Sequence, residues 1–188
     1  MAFCDLTPRA VRRAVEAGVK SVEHGQLLDE ATMKLLAKKG VWLSLQALDE
    51  APPNAPAATR AKKHTVVEGT DNAFKRAKRY GVKLAWGTDF LFDPTQNSKQ
   101  NSDILKLRQW MVPAEVLKLV THDNARLLAL SGPRNPYSGK LGVVSEGALV
   151  DLLLVDGDPL INLELIADPA KNFVVIMKDG KIFKDTLQ

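Results

Sequence analysis

The sequence contains a single cysteine, Cys4, among 188 residues, which excludes an internal disulfide and favours a reducing compartment. Histidine is also scarce, with three residues, and aromatic residues make up only 6% of the chain. The sequence shows no secretory leader, no lipidation motif and no apolar run long enough to cross a bilayer. These absences predict a cytoplasmic protein with no membrane partner.

A strong excess of one charge is absent as well. The 26 basic residues are offset by 22 acidic ones, which leaves a formal net charge of +4. The basic clusters, such as residues 75–79, fall on helical patterns, and we interpret them as solvated helix faces. No nucleic-acid partner is therefore predicted, and salt-dependent binding of DNA or RNA would contradict this interpretation.

Helical segments and apolar runs alternate along the first part of the chain. Three times a basic helical segment ends in Gly-Val and leads into a short apolar run, at Gly18-Val19, Gly40-Val41 and Gly81-Val82. This alternation predicts an α/β fold with a parallel sheet. The chain is too short for a complete eight-stranded barrel, which typically needs about 250 residues.

The longest helical segment is predicted from Ala57 to Tyr80, with a break near Gly69. It follows a stretch that three prolines keep irregular, residues 51–56. A polar loop is predicted over residues 93–101, and one continuous amphipathic helix over residues 113–130. Both loops follow predicted strands, where a barrel enzyme places its substrate-contacting loops.

Two strand-like runs end in residues that can carry chemistry. The run from Val82 to Trp86 predicts a strand buried on both faces, which delivers Asp89 to the carboxyl edge of the sheet. The run after Gly18 ends in the same way at His24. If the sheet is curved, both side chains face one centre, where they suit a divalent metal, or a base and its orienting partner.

Each of these residues also has a purely structural interpretation. Asp89 suits the cap of a following turn, and His24 suits a hydrogen-bonded histidine at a strand end. Glu23 should point to the opposite face from His24 and pair with a helix lysine. His64 lies in a basic helical segment, which predicts a surface residue. His122 falls on a helix, where packing or capping is the simpler role.

The last part of the chain has a different pattern. Beyond Ser131-Gly132-Pro133, glycines separate short apolar runs, which predicts a small β-rich domain over residues 131–188 appended to an α/β domain over residues 1–130. The pair Asp179-Gly180 predicts a tight hairpin turn. No phosphate-binding loop or dinucleotide fingerprint is present, so no nucleotide cofactor is predicted.

Four stretches together resemble the amidohydrolase superfamily, and in particular its branch of imidazolonepropionase-like enzymes and Xaa-Pro or related dipeptidases. They run from Thr7-Pro8 to Glu23-His24-Gly25, over Gly87-Thr88-Asp89, from Gly147-Ala148 to Asp158-Pro159, and over Lys178-Asp179-Gly180-Lys181. The resemblance covers nearly the whole chain in the family's order. It implies the C-terminal half of a TIM-like barrel of parallel strands and helices, followed by a remnant of a small β-sandwich.

The resemblance also implies a chemistry. The family's barrel binds one or two zinc-like divalent metals, and by resemblance His24 is the metal ligand after the sixth strand. Asp89, after the eighth strand, is by resemblance both a metal ligand and the catalytic base. The implied reaction is hydrolysis of an amide-type C–N bond by metal-activated water, in a small-molecule substrate such as a cyclic amide or a dipeptide.

The sequence departs from the family pattern in its ligand set. The family's His-x-His pair on the first strand and the bridging lysine on the fourth have no counterpart, and its usual fifth-strand histidine falls on Cys4. Two ligands do not complete a catalytic zinc shell, so whether this chain alone is an enzyme stays open. One hypothesis is a metal-dependent hydrolase completed by an N-terminal part or a partner chain. The other is a catalytically inert half-barrel that forms homo-oligomers, since open strand edges and apolar faces favour self-association.

Overall fold

A computed structural model describes residues 2–5, 7–90 and 94–187, with the backbone alone for residues 2–5. The chain divides into two compact units, residues 1–87 and residues 88–188, and each is described by itself. The domain boundary expected at residue 130 stays a prediction.

The first unit contains a sheet of four parallel strands, in which each strand pairs with the next one along the chain. A helix follows each of the first three strands, so the predicted α/β fold with a parallel sheet is confirmed. Sequential parallel strands joined by helices are the arrangement of half an eight-stranded barrel. The elements are β1 (Ala2–Asp5), α1 (Pro8–Glu16), β2 (Ser21–His24), α2 (Glu30–Lys39), β3 (Trp42–Leu45), α3 (Ala57–Tyr80) and β4 (Lys83–Trp86).

The three Gly-Val pairs form the helix-to-strand junctions, as the sequence predicts. Each glycine has a positive φ, between 63° and 91°, which an L-residue with a side chain rarely adopts. Each valine N–H then donates back to the last helical turn, and each valine side chain is at most 6% exposed. In each junction, therefore, the glycine ends the helix and the valine that follows it is buried in the core. The valines are Val19, Val41 and Val82.

Helix α2 begins at a cap that joins it to α1. Asp29 accepts hydrogen bonds from Thr32 N at 2.8 Å and from Thr32 Oγ1 at 2.6 Å. Arg12 Nη1 donates to Asp29 Oδ2 at 2.9 Å and to Thr32 Oγ1 at 3.0 Å. The Thr32 hydroxyl and the Arg12 guanidinium hold the pKa of Asp29 below its usual value, although partial burial acts in the opposite direction. The predicted start of this helix at Asp29 is confirmed.

Helix α3 is continuous, so the break expected near Gly69 is wrong. A glycine inside a helix normally weakens it, but here it allows the helix to approach a loop of the sheet. A Cβ atom at Gly69 would lie 2.7 Å from the backbone oxygen of Gln26. The glycine is thus required by packing, and it marks no interruption. Of the helices that the described residues form, α3 included, none combines the length and the apolar character that a membrane span needs.

Strand β4 is less buried than its apolar sequence predicts. Ala85 is 1% exposed, but Leu84 and Trp86 are only partly buried and Lys83 is exposed. The reason is topological, because β4 is an edge strand of the sheet that the described residues form. Lys83 Nζ bonds to the carbonyl of Gly40 at 3.3 Å and lies 5.9 Å from the ring of Trp42. A charge on an edge strand discourages pairing with another sheet.

The second unit begins with short helical segments. They are a 3-10 helix over Pro94–Lys99, α4 (Gln100–Ile104), a 3-10 helix over Leu105–Gln109, α5 (Pro113–Lys118) and α6 (Asn124–Leu128). The stretch predicted as a polar loop is therefore mostly helical from Pro94 onward. Its backbone carbonyls accept local hydrogen bonds, such as the one that Ser98 Oγ donates to Thr95 O. Asp93 lies outside the described residues.

The continuous helix expected over residues 113–130 is also wrong. A π-helical turn, Leu119–Asp123, separates α5 from α6, and a 3-10 helix, Ala129–Arg134, follows α6. Gly142 packs so closely against the wide turn that a Cβ atom there would lie 2.7 Å from Thr121 O. The close contact with Gly142 thus occurs where the helix departs from α-helical geometry. Hydrophobic periodicity does not reveal such a departure.

The β-rich end of the chain contains an antiparallel sheet. Its strands are β5 (Leu152–Val155), β6 (Phe173–Lys178) and β7 (Lys181–Asp185), with α7 (Pro169–Asn172) before β6. Asp179 and Gly180 both have positive φ, at 50° and 73°, as a two-residue hairpin of this hand requires. The carboxylate of Asp151 accepts the N–H of Asp179 at 2.6 Å. The predicted hairpin is confirmed. This hydrogen bond joins two of the stretches that carried the family resemblance.

Candidate functional site

His24 is the last residue of β2, so its predicted place at the carboxyl end of a strand is confirmed. Its backbone has a φ of 69°, and that of Gly25 a φ of 74°. A left-handed backbone is unfavourable for a residue with a side chain, and it persists where the surrounding structure imposes it. Local geometry thus fixes the direction in which the chain leaves the strand at His24.

The imidazole of His24 contacts a buried glutamine. His24 Nδ1 lies 2.8 Å from Oε1 of Gln46, the first residue after β3. Gln26 Nε2 donates to the same oxygen at 3.0 Å. Both glutamines are buried, with 6% and 2% of their surface exposed. The sequence analysis missed them, although polar residues directly after apolar strands at the same sheet edge were a usable signal.

Glu23 has a structural role on the other side of β2. Alternation along the strand turns its side chain away from that of His24, as predicted. Its Oε1 accepts a hydrogen bond from Ser21 Oγ at 3.0 Å, so its partner is a residue of the same strand and not the expected helix lysine. Ser21 and Glu23 are two positions apart and therefore share one face.

Asp89 belongs to the second unit and is the third residue after β4. Its backbone has a φ of 58°, and the residue is exposed. Among the non-glycine residues that the structure describes, only His24, Asp89 and the hairpin residue Asp179 have a positive φ. That both predicted ligands are in this small group singles them out. The expectation that their side chains face one centre stays a prediction.

His24 and Asp89 each carry a type of side chain that can bind a divalent metal. The described part of the chain has no group of three or more histidine, cysteine, aspartate or glutamate residues that could hold a metal ion. A zinc site needs three or four ligands, and imidazole and carboxylate are among the groups that zinc binds. The His24 ring also has the arrangement of a ligand whose second nitrogen bonds to a neighbour. That His24 and Asp89 share such a site stays a prediction.

His64 is a surface residue, as predicted. Its Nδ1 lies 2.8 Å from Glu50 Oε1, and its Nε2 lies 3.6 Å from Glu68 Oε1. The hydrogen bond and the charge of Glu50 raise the pKa of His64 above its ordinary value. Arg60 Nη1 donates to the carbonyl of Pro53 at 2.6 Å. These contacts fasten the proline-rich loop to the start of α3.

His122 lies on the π-helical turn of the second unit. Together with Arg126 and Lys140 it lines an open cavity of about 550 Å³. Its predicted role in packing stays a prediction. The backbone of Cys4 pairs in register with Glu23 in the parallel sheet, and its side chain lies outside the described part of the chain.

Comparison with known proteins finds relatives that match nearly the whole of this chain. Ochratoxinase from Aspergillus niger is 28% identical over 180 residues, which is 93% of this chain but 36% of the relative. A solved amidohydrolase is 30% identical with a TM-score of 0.82, and the match covers 100% of this chain and 45% of that one. A solved prolidase, complexed with N-methylphosphonate-L-proline, is 26% identical with a TM-score of 0.82. The match covers 98% of this chain and 45% of that one.

The chain therefore spans less than half the length of these relatives, which agrees with a half-barrel fold. The model of the amidohydrolase family matches residues 4–183, nearly the whole sequence. This match includes the strand that ends at His24, the segment of Asp89 and the terminal hairpin. The chain belongs to the amidohydrolase family.

Proposed function

We propose that this chain contributes His24 and Asp89 to a divalent-metal site that hydrolyses amide-type C–N bonds, and that residues outside the chain complete the site. The observation that carries the proposal is the left-handed backbone of both residues, with φ of 69° and 58°. Such a conformation costs about 1–3 kcal/mol and is concentrated at functional sites. His and Asp adopt this region more readily than most residues, and its occurrence at both predicted ligands is what supports the proposal.

The proposed chemistry divides between the two side chains. His24 offers its imidazole as a metal ligand. The Asp89 carboxylate accepts a proton from the attacking water and returns it to the leaving amine nitrogen. The chemistry that a bound divalent metal such as zinc supplies is activation of water near neutral pH.

The proposed substrate is a small amide of the dipeptide type. Support comes from the prolidase relative, whose structure contains an N-substituted L-proline. A cytoplasmic location is part of the same proposal, since one cysteine among 188 residues suits a reducing compartment.

The proposal is tested by restoring the missing ligands. The chain is fused to a family segment that carries the His-x-His strand and the bridging lysine, and zinc is measured by elemental analysis and calorimetry. We expect the fusion to bind zinc more tightly than the chain alone, because it has more than two ligands. Replacement of His24 by alanine should weaken that binding by more than about tenfold.

His122→Ala is the matched control, since it removes an imidazole from a different place and should leave zinc affinity unchanged. Equal zinc binding by the His24→Ala fusion and the parent fusion would contradict the proposal. So would a zinc-loaded fusion that hydrolyses neither Xaa-Pro dipeptides nor cyclic amides.

We propose, as a second candidate role, that the chain by itself self-associates through its C-terminal sheet. The observation in favour is the exposure of three consecutive leucines of the edge strand β5: Leu152 (40%), Leu153 (54%) and Leu154 (49%). Alternate residues of a strand point to opposite faces, so leucine is exposed on both faces of the sheet. A folded monomer rarely leaves such an apolar surface in water.

Sedimentation velocity over a range of concentrations checks this role. We expect the chain to sediment as a concentration-dependent dimer or larger species, and Leu153→Lys with Leu154→Lys to shift it toward the monomer. Val144→Lys, which changes a residue that is 90% exposed outside the sheet, is the control. A parent chain that stays monomeric at every concentration would exclude this role.

A further inference from the structure

The connection between β3 and α3, residues 46–56, leaves the core soon after it begins. Gln46 and Ala47 are buried, at 6% and 5% exposed, whereas residues 49–56 are exposed or half-buried. The three prolines of its second half, the proline-rich loop of residues 51–56, fix φ and so limit the conformations that it can adopt. Because this loop is stiff and little buried, a few polar contacts are enough to set its place.

Two residues of α3 make such contacts. Arg60 Nη1 donates to the carbonyl oxygen of Pro53 at 2.6 Å and to that of Ala55 at 3.4 Å. His64 Nδ1 lies 2.8 Å from Oε1 of Glu50, the residue just before the loop. Arg60 and His64 are four positions apart and therefore lie on the same face of the helix. One face of α3 thus bonds to both ends of this segment.

The two contacts differ in their response to pH. The Arg60 guanidinium is always charged, so its bonds to carbonyl oxygens do not change with pH. His64 lies between two carboxylates, since its Nε2 is 3.6 Å from Oε1 of Glu68. A charged ring has a donor at each nitrogen, whereas a neutral ring keeps one N–H and no charge. The attraction between His64 and Glu50 is therefore strongest when the ring is protonated.

The charges around His64 come from both elements. The hydrogen bond and charge of Glu50 and the charge of Glu68 raise the pKa of His64, whereas burial acts in the opposite direction. The protonated contact is therefore present below the ordinary histidine value of about 6.5, and it is lost as the pH rises through the raised pKa. The other charged residues close to His64 along the two elements are Asp49, Arg60, Lys62 and Lys63.

We propose that Arg60 and His64 are positioning residues, which hold the proline-rich loop at the carboxyl edge of the sheet, and that the hold of His64 depends on its proton. The hold itself is a property of this chain. Its purpose, to place the loop beside a substrate at that edge, rests on the proposed function. Loops at this edge of a barrel contact the substrate. Loss of the proton should therefore weaken substrate binding and leave the chemical step unchanged.

The test is nuclear magnetic resonance of the 188-residue chain, titrated between about pH 5 and pH 9 to span the ordinary histidine value. The Cε1–H signal of His64, assigned with His64→Gln, should titrate above that value. Hydrogen exchange of the Ala55 N–H, which donates to Pro52 O at 2.9 Å, reports whether the loop is held. After correction for the intrinsic effect of pH on exchange, its protection should fall about two- to fivefold as His64 loses its proton, as for an exposed ion pair.

Three variants separate the two contacts from a general effect of charge. Glu50→Gln keeps the size of the side chain and removes its charge, so His64 should titrate at a lower pH and the protection of Ala55 should no longer depend on it. Arg60→Gln removes the contact that pH does not change, so it should lower this protection at every pH. Glu16→Gln, the same change at an exposed position of α1, is the control and should alter neither property.

The zinc-binding fusion tests the purpose of the contact. Over the titration of His64, KM for an Xaa-Pro dipeptide should rise about two- to fivefold more in the parent fusion than in its His64→Gln variant. The two fusions should have equal kcat, because His64 acts through the loop and not on the reacting atoms.

A His64 signal that titrates at or below the ordinary value overturns the proposal. So does an Ala55 protection that is equal on the two sides of the titration, or that depends on pH as strongly in Glu50→Gln as in the parent. If the chain behaves as expected but KM changes equally with pH in the parent and His64→Gln fusions, the role in substrate binding is overturned. If the fusion hydrolyses no amide while the chain behaves as expected, the proposed function fails and the hold of the loop stands.

Discussion

Replacement of Asp89 by asparagine is expected to lower kcat for amide hydrolysis by about 10²–10⁴-fold in the zinc-binding fusion, the usual contribution of a general acid–base group. Asparagine keeps the shape of the side chain and also tolerates a left-handed backbone, so the φ of 58° at this position can persist. What is lost is the group that accepts the proton of water and returns it to the amine. Steady-state hydrolysis of an Xaa-Pro dipeptide measures the effect.

Asp71→Asn is the matched control for this substitution. Asp71 is a carboxylate on the surface of α3 that pairs with Lys75 at 2.6 Å, and its replacement should leave kcat unchanged. A change in KM alone, with kcat preserved in Asp89→Asn, would contradict the role of Asp89 as base. Equal losses in both variants would point to a general effect of charge.

Replacement of Phe74 by alanine is expected to lower the free energy of unfolding of the first unit by about 3–5 kcal/mol. Phe74 is fully buried, at 0% exposed, and lies on the face of α3 that also buries Ala73 and Ala77. The truncation leaves a cavity that the neighbouring backbone cannot fill. Because the chain has two compact units, the measurement should be specific to the first. Amide hydrogen exchange of β2 and β3 provides it.

Lys62→Ala, on the exposed part of the same helix, is the control and should change stability by less than about 0.5 kcal/mol. The loss of stability in Phe74→Leu should be between those of Lys62→Ala and Phe74→Ala, since leucine leaves a smaller cavity than alanine. If Phe74→Ala exchanges as slowly as the parent chain in β2 and β3, Phe74 is not part of the core of this unit.

The sequence predicted those features that depend on local pattern. The Gly-Val junctions, the cap at Asp29 and the Asp179-Gly180 hairpin each need particular residue types at fixed spacing, and all are confirmed. His24 was placed correctly because a strand-like run ends at it. Their positions at the carboxyl ends of predicted strands selected His24 and Asp89, and the family resemblance then implied their roles as metal ligands.

The features that the sequence did not predict depend on contacts between distant residues. Gly69 suggested a break in a helix, but its role is set by the backbone of Gln26, far away along the chain. The exposure of β4 follows from its place at a sheet edge, which an apolar run cannot reveal. The bond between His24 and Gln46 joins residues 22 positions apart in the sequence. Such contacts become visible only when the strands have been placed side by side.

Helix α3 is longer than the sheet against which it packs. Its 24 residues extend over about 36 Å, whereas a four-residue strand spans about 13 Å. Its buried residues all lie from Thr70 onward, so the earlier turns project past the carboxyl ends of the strands. The first turns of α3, and the proline-rich loop that Arg60 fastens to them, therefore lie at the same edge of the sheet as the end of β2.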